Sequence, residues 1–442
     1  MTLKHLTAIT LLVVAPILVA AAANPEAAGT LTYETLAKAK TIVWEPVAGP
    51  VDTLPAVYDE VPAPKALTVH EWGTFTSIAG PDGKAMDWLP AGGPTDLPCF
   101  VALTDTSGLK SGGSDNQLGG RAGQGTVRME TPVLYFYSPR EETVNVRVSF
   151  PHGLITEWYP ATAKVGPASL WTAIKDLRSA TGTIEWNNVK IMPGATESYP
   201  LEAGQSHYYA ARRTGSDPLQ VGNQKEKFLF YRGIASFQPP IAAVMNGDGT
   251  INVTNLGTEE IPSIILFENR GGRIGFTVVR EFDKQMTMEL PKLTSDFSSL
   301  QQSLEGILRS QGMYAAEAAA MVDTWKDTWF EQGTRIFYLV PSRTVDSILP
   351  LTIEPQPARI ARAFVGRMEV ITPATQDEVL AAIRTNDRSV LETYGRFLEP
   401  ITKSFYSKLS EAEWSSASKS IASIRADYVA GVTACTKGKR AW

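Results

Sequence analysis

Between Leu67 and about Leu290, apolar residues recur in short runs with a period of two. The clearest run alternates Val144, Val146, Val148 and Phe150 with Asn145, Arg147 and Ser149. That pattern places one face of a strand on a core and the other toward water. Comparable runs lie at Thr131 to Tyr137, Gly153 to Tyr159, His207 to Ala211 and Lys227 to Tyr231, and others follow up to Arg280. Turn chemistry separates them, at Ser-Pro-Arg-Glu 138–141, Asn-Gly-Asp-Gly 246–249 and Arg-Gly-Gly-Arg 270–273. Many short strands joined in this way predict a β-sandwich region, one sandwich or two in tandem.

From Ser295 the period changes. Phe297, Leu300, Leu304, Ile307 and Leu308 recur at helical spacing, and Met313 to Trp329 reads as a second helix with Trp325 and Trp329 on one face. A small β segment is expected at Arg335 to Val340, Ile348 to Ile353 and Ala363 to Ile371. Pro350, Pro355 and Pro357 confine its middle run to an edge or bend. Helices return at Thr375 to Asn386, Ser389 to Tyr406 and Glu411 to Ala430. The expected class is therefore α+β and β-rich, with an N-terminal β-sandwich region at 67–290, a helical pair plus small β segment at 291–373, and C-terminal helices at 374–442.

The N-terminus alters the picture of where this fold works. Lys4, an apolar run from Leu6 to Val19 and Ala21-x-Ala23 before Asn24 form the pattern of a secretory signal peptide at 1–23. A Pro-rich extended lead-in follows at 24–66. The expected location is periplasmic or secreted, with no membrane-spanning segment after cleavage. The formal net charge is −5, without a long basic block, which argues against nucleic acid as a partner. The two cysteines, Cys99 and Cys435, are candidates for one disulfide in an oxidising compartment. No cysteine pair is closely spaced, so thiolate zinc sites and C-x-x-C redox chemistry are excluded. Residues 108–125 are too rich in Gly and polar side chains to hold a core and are expected to form a surface loop.

Candidate chemistry centres on three histidines of the β region. His70, His152 and His207, together with Glu71, make a ligand set that a divalent transition metal such as zinc, copper or iron would accept, provided the strands bring them together. Glu130 or Glu157 would then be the candidate catalytic base. The bland alternative is that histidines beside aromatics on strands donate to backbone carbonyls at the core edge. A carboxylate pair for glycoside hydrolysis could be drawn from Glu71, Glu130, Glu157, Asp82 and Asp87, but nothing in the spacing selects one. The nucleophile elbow G-x-S-x-G and the phosphate loop are absent. Asn246-Gly-Asp248-Gly suits a hairpin turn better than a calcium loop, because Val244 stands where the first ligand belongs. Arg335, Arg367 and Glu369 are expected to pair as a structural group.

The strings HEWGTFTS at 70–77, METPVLYFYS at 129–138, FPHGLITEWYP at 150–160, EKFLFYRG at 226–233 and TWFEQGTRIFYLVP at 328–341 resemble those of a family of secreted bacterial proteins of unassigned function. The resemblance covers most of the mature chain. It implies export and a shared fold, and carries no mechanism. The functional expectation is a binding or structural protein of the cell envelope, with an envelope glycan or protein as partner. Its competitor is a metal-dependent enzyme, hydrolase or oxidoreductase, built on the histidines.

Overall fold

The computed structural model describes residues 63–92, 97–104, 123–167, 173–202 and 206–437, with backbone alone for 429–437. The leader expected at 1–23, most of the lead-in expected at 24–66, residues 108–122 of the Gly-rich stretch and the side chain of Cys435 lie outside the described residues. Nearly all described residues belong to one compact unit, Ala56–Arg270 with Ile274–Trp442. The class is mixed α+β and strand-rich, with a helical C-terminal region.

Its strands are β1 (Thr68–Ile78), β2 (Ala102–Leu103), β3 (Val127–Tyr137), β4 (Glu142–Pro151), β5 (Gly153–Tyr159), β6 (Lys164–Gly166), β7 (Thr181–Ile191), β8 (Leu219–Val221), β9 (Gln224–Glu226), β10 (Leu229–Ala235), β11 (Ile241–Met245), β12 (Ile251–Asn255), β13 (Ile261–Arg270), β14 (Arg273–Phe282), β15 (Gln285–Met288), β16 (Gly333–Leu339), β17 (Leu351–Glu354) and β18 (Arg359–Val370). Fifteen of them form one hydrogen-bonded network in the order β14-β13-β16-β18-β1-β3-β10-β5-β7-β4-β17, with β2, β6, β8 and β9 attached along its flank. A second sheet holds β11-β12-β15. Thus β16 and β18, expected as part of a small separate segment, are central strands of the large sheet. β18 runs parallel to β1, in register from Thr68↔Arg359 to Ile78↔Glu369. β17, flanked by the prolines, sits at the end of the order as they require.

β1 is buried along almost its whole length, so its sequence lacks the alternation of a half-exposed strand. Its side chains nevertheless divide between two cores. Val69 and Phe75 join Met129, Leu134 and Leu229 on one face, where the small sheet adds Ile241, Val253 and Met288. Trp72 joins Tyr135, Ile265, Phe337 and Val365 on the other, beneath α1 (Phe297–Ser310) and α2 (Ala315–Trp329). Trp325 and Trp329 are buried in this second core, as their spacing predicts. Asp296 caps α1 by accepting from the Ser299 amide. Short α3 (Ser342–Ile348) leads into β17. The C-terminal helices α4 (Pro373–Thr385), α5 (Arg388–Tyr394), α6 (Leu398–Ser404) and α7 (Glu411–Lys437) close a third core around Ile78 and Trp88.

Two local readings change. His207 to Ala211, expected as a strand, is a 3-10 helix over His207–Arg212, started by the Ser206 hydroxyl accepting from the Tyr208 amide. The strand expected over Ile348 to Ile353 begins only at Leu351, as β17, because Ser342–Ile348 is helical. The Asn-Gly-Asp-Gly segment is the hairpin between β11 and β12, with the Asn246 amide donating to the Thr250 carbonyl at 2.8 Å.

Candidate functional site

The metal-ligand set proposed from the histidines is not assembled. His70 and Glu71 are consecutive on β1 and so point to opposite faces of the sheet. His152 lies at positive φ in the β4–β5 turn and its Nδ1 meets the Arg178 carbonyl. His207 opens the 3-10 helix and its Nε2 lies 2.6 Å from the Asp327 carboxylate. Among the described residues, no group of three or more His, Cys, Asp and Glu side chains could hold a metal ion. The Cys99 sulfur is in a disulfide.

His70 is fully buried, with Nδ1 2.8 Å from Glu317 Oε2. The same carboxylate accepts from the Tyr137 hydroxyl at 2.7 Å and from the Tyr314 backbone amide at 2.7 Å. Tyr314 covers the imidazole with a centroid separation of 4.6 Å. A carboxylate on Nδ1 places a proton there, and Nε2, itself buried, makes no hydrogen bond among the described residues. Burial, followed by the charge of Glu317, holds the Tyr137 hydroxyl well above its ordinary pKa. On the other face Glu71 accepts from Tyr231 at 2.6 Å and from Arg362 Nε at 2.6 Å.

Glu130 and Glu157, the candidate bases, are counter-ions within a buried polar cluster. Glu130 accepts from Thr76 at 2.6 Å and pairs with Arg396, while Arg128 Nη2 lies 3.4 Å from Glu157. Burial alone would raise the Glu130 pKa, but Arg396 and Arg128 outweigh it and bring it down to about 2. A carboxylate so firmly ionised is a poor general base near neutral pH. The expected trio is present as a structural group, with Glu369 Oε1 2.9 Å from Arg335 Nε and 2.7 Å from Arg367 Nε.

What the sequence did not single out is the start of β18. There the sheet end, the turn after α1, and α3 enclose an open groove of about 560 Å³, within the size range of small-ligand sites. Two other cavities, one beside Tyr394 and one beside Leu304, hold about 10 Å³ each, room for no more than a water. Side chains that give the groove its character are Gln311, Ser342, Asp346, Arg359, Ile360 and Arg362. Strand alternation sends Arg359 to the face of Ala361 and Tyr314, and Arg362 to the face of Glu71 and Phe364. The groove therefore wraps around the end of the sheet. The Arg362 side chain is largely covered and doubly paired, with Glu71 behind it and Asp346 2.9 Å away in front. Arg359 is exposed and makes no ion pair among the described residues. Ala361, which lines the groove, is the register partner of His70, so the buried His70–Glu317 pair stands directly behind this wall.

No family model matches the chain, and no curated protein is matched. Among solved structures, the chain is similar to a yeast delta-COP-I mu-homology domain at 8% identity and a TM-score of 0.25, covering 70% of this chain and 100% of that one. The same domain complexed with a Dsl1 WxWxV peptide gives 6% identity, the same TM-score and the same coverage. Likeness at that level carries no functional argument.

Proposed function

We propose that this chain is an extracytoplasmic binding protein of the cell envelope, and that the groove at the start of β18 is its recognition surface for an envelope glycan. The observation that carries the reading is the groove itself: about 560 Å³, mixed polar and apolar, with an arginine that no carboxylate among the described residues neutralises. The leader-like N-terminus and the resemblance to secreted proteins support the location. By contrast, the buried centres around His70, Glu71 and Glu130 are occupied with internal partners, which suits a scaffold. Among the described residues no helix is long and apolar enough to cross a membrane.

The test is co-sedimentation of the purified chain with insoluble peptidoglycan at low salt, comparing wild type with Ser342→Trp, which fills the groove from an exposed helix position. Loss of binding in a variant that melts like wild type is the expected result. Equal retention of both proteins, or of neither, sinks the assignment.

A further inference from the structure

Resting on that reading, we propose that the groove's ligand is a carboxylated glycan, that Arg359 anchors one of its carboxylates, and that Asp346 is a built-in competitor held on Arg362 until the ligand displaces it.

The charges around the groove are few and their roles differ. Arg362 faces inward to Glu71, whose second oxygen is held by Tyr231, so its charge is already balanced by a buried partner. Its Nη1 then takes a second carboxylate, Asp346, whose side chain is 66% exposed. An ion pair with one partner in water contributes little and is readily exchanged. Swapping Asp346 for a ligand carboxylate leaves the number of charges on Arg362 unchanged and returns Asp346 to solvent. Arg359 has no such partner among the described residues, and its planar fork matches a carboxylate with two parallel N–H donors.

The remaining lining fits a sugar bearing that charge. Gln311 and Ser342 offer neutral hydrogen-bonding groups suited to hydroxyls, and Ile360, 39% exposed, offers an apolar surface for a ring face. The protein as a whole is acidic, with a formal net charge of −5, so general attraction does not bring a polyanion to it. Binding of an acidic polymer has to come from a local arrangement such as this one.

The experiment is calorimetric titration of the full chain with oligogalacturonate, with a neutral galactan oligomer and inorganic polyphosphate as comparison probes. Wild type is expected to bind oligogalacturonate in a salt-sensitive way and to ignore the neutral oligomer. Arg359→Ala should weaken binding at least about tenfold, the loss expected for one charge-assisted contact. Asp346→Ala should bind several-fold more tightly, an outcome that a merely structural aspartate does not produce. Unchanged affinity in Arg359→Ala, weaker affinity in Asp346→Ala, or equal binding of the neutral oligomer or polyphosphate overturns the proposal. Should wild type ignore oligogalacturonate while Ser342→Trp still abolishes peptidoglycan binding, the groove stands and the acidic ligand falls; if Ser342→Trp leaves peptidoglycan binding intact, the groove assignment itself falls.

Discussion

Replacing Glu130 by glutamine removes the charge that ties the C-terminal helices to the sheet. Glu130 lies on β3, 3% exposed, while Arg396 approaches from the turn between α5 and α6. Its carboxyl is brought from 4.5 to about 2 in the fold. Because the folded value lies below the unfolded one, the stabilisation is fully present above about pH 4.5 and is lost as pH falls toward 2. A depression of that size corresponds to about 3 kcal/mol at neutral pH. Glutamine keeps the shape but leaves Arg128 and Arg396 short of a counter-charge in a buried setting, which adds to the cost. Urea denaturation of wild type and Glu130→Gln at pH 7, 4 and 3 should show the difference of about 3 kcal/mol shrinking with acidity. A loss that is the same at pH 7 and pH 3, or that is absent at pH 7, refutes the counter-ion role.

Glu317→Ala leaves His70 Nδ1, the Tyr137 hydroxyl and the Tyr314 amide without their shared acceptor. It should cost about 3 kcal/mol or more in the same denaturation assay, whereas a change under about 1 kcal/mol would contradict the buried-pair description. Gly366→Ala places a Cβ 1.9 Å from Tyr338 Cζ across the β16–β18 pair, with no flexible chain end to move aside. It should lower the melting temperature by the equivalent of about 3 kcal/mol, and a neutral effect would mean that Tyr338 is not seated as described. Burial first, then nearby carboxylates, hold the hydroxyls of Tyr135, Tyr137, Tyr208 and Tyr231 well above their ordinary pKa. Since the folded value is raised above the unfolded one, this stabilisation is complete below pH 10 and declines above it. Absorbance titration at alkaline pH should show these tyrosines ionising only as the protein unfolds, and early titration of the whole set would contradict their burial.

Strands with one face on a core declared themselves in the sequence. Val144 to Phe150 is the plainest case, and it emerges as β4. β1 did not announce its faces, because a central strand covered on both sides carries His70, Glu71, Thr74 and Thr76 inside, each answered from another part of the chain or buried by it. His207 to Ala211 misled through its tyrosines, whose strand preference lost to the Ser206 cap and to Glu226, which holds both Tyr208 and Arg212. Consecutive numbering made His70 and Glu71 look like joint ligands, while the pleat separates them. The partner of His70, Glu317, lies 247 residues away, and no spacing rule reaches that far. Arg359 and Arg362 were legible only as charged residues near a strand start. Their meaning depends on Asp346, Glu71 and Gln311, which the sheet end and two helices bring to them.

Hydrogen–deuterium exchange of the full chain with and without soluble peptidoglycan fragments tests whether the groove at the start of β18 recognises an envelope glycan. Protection confined to the turn at Gln311 and to residues 342–351 and 359–362 is the predicted result. Protection elsewhere with this segment unchanged contradicts it.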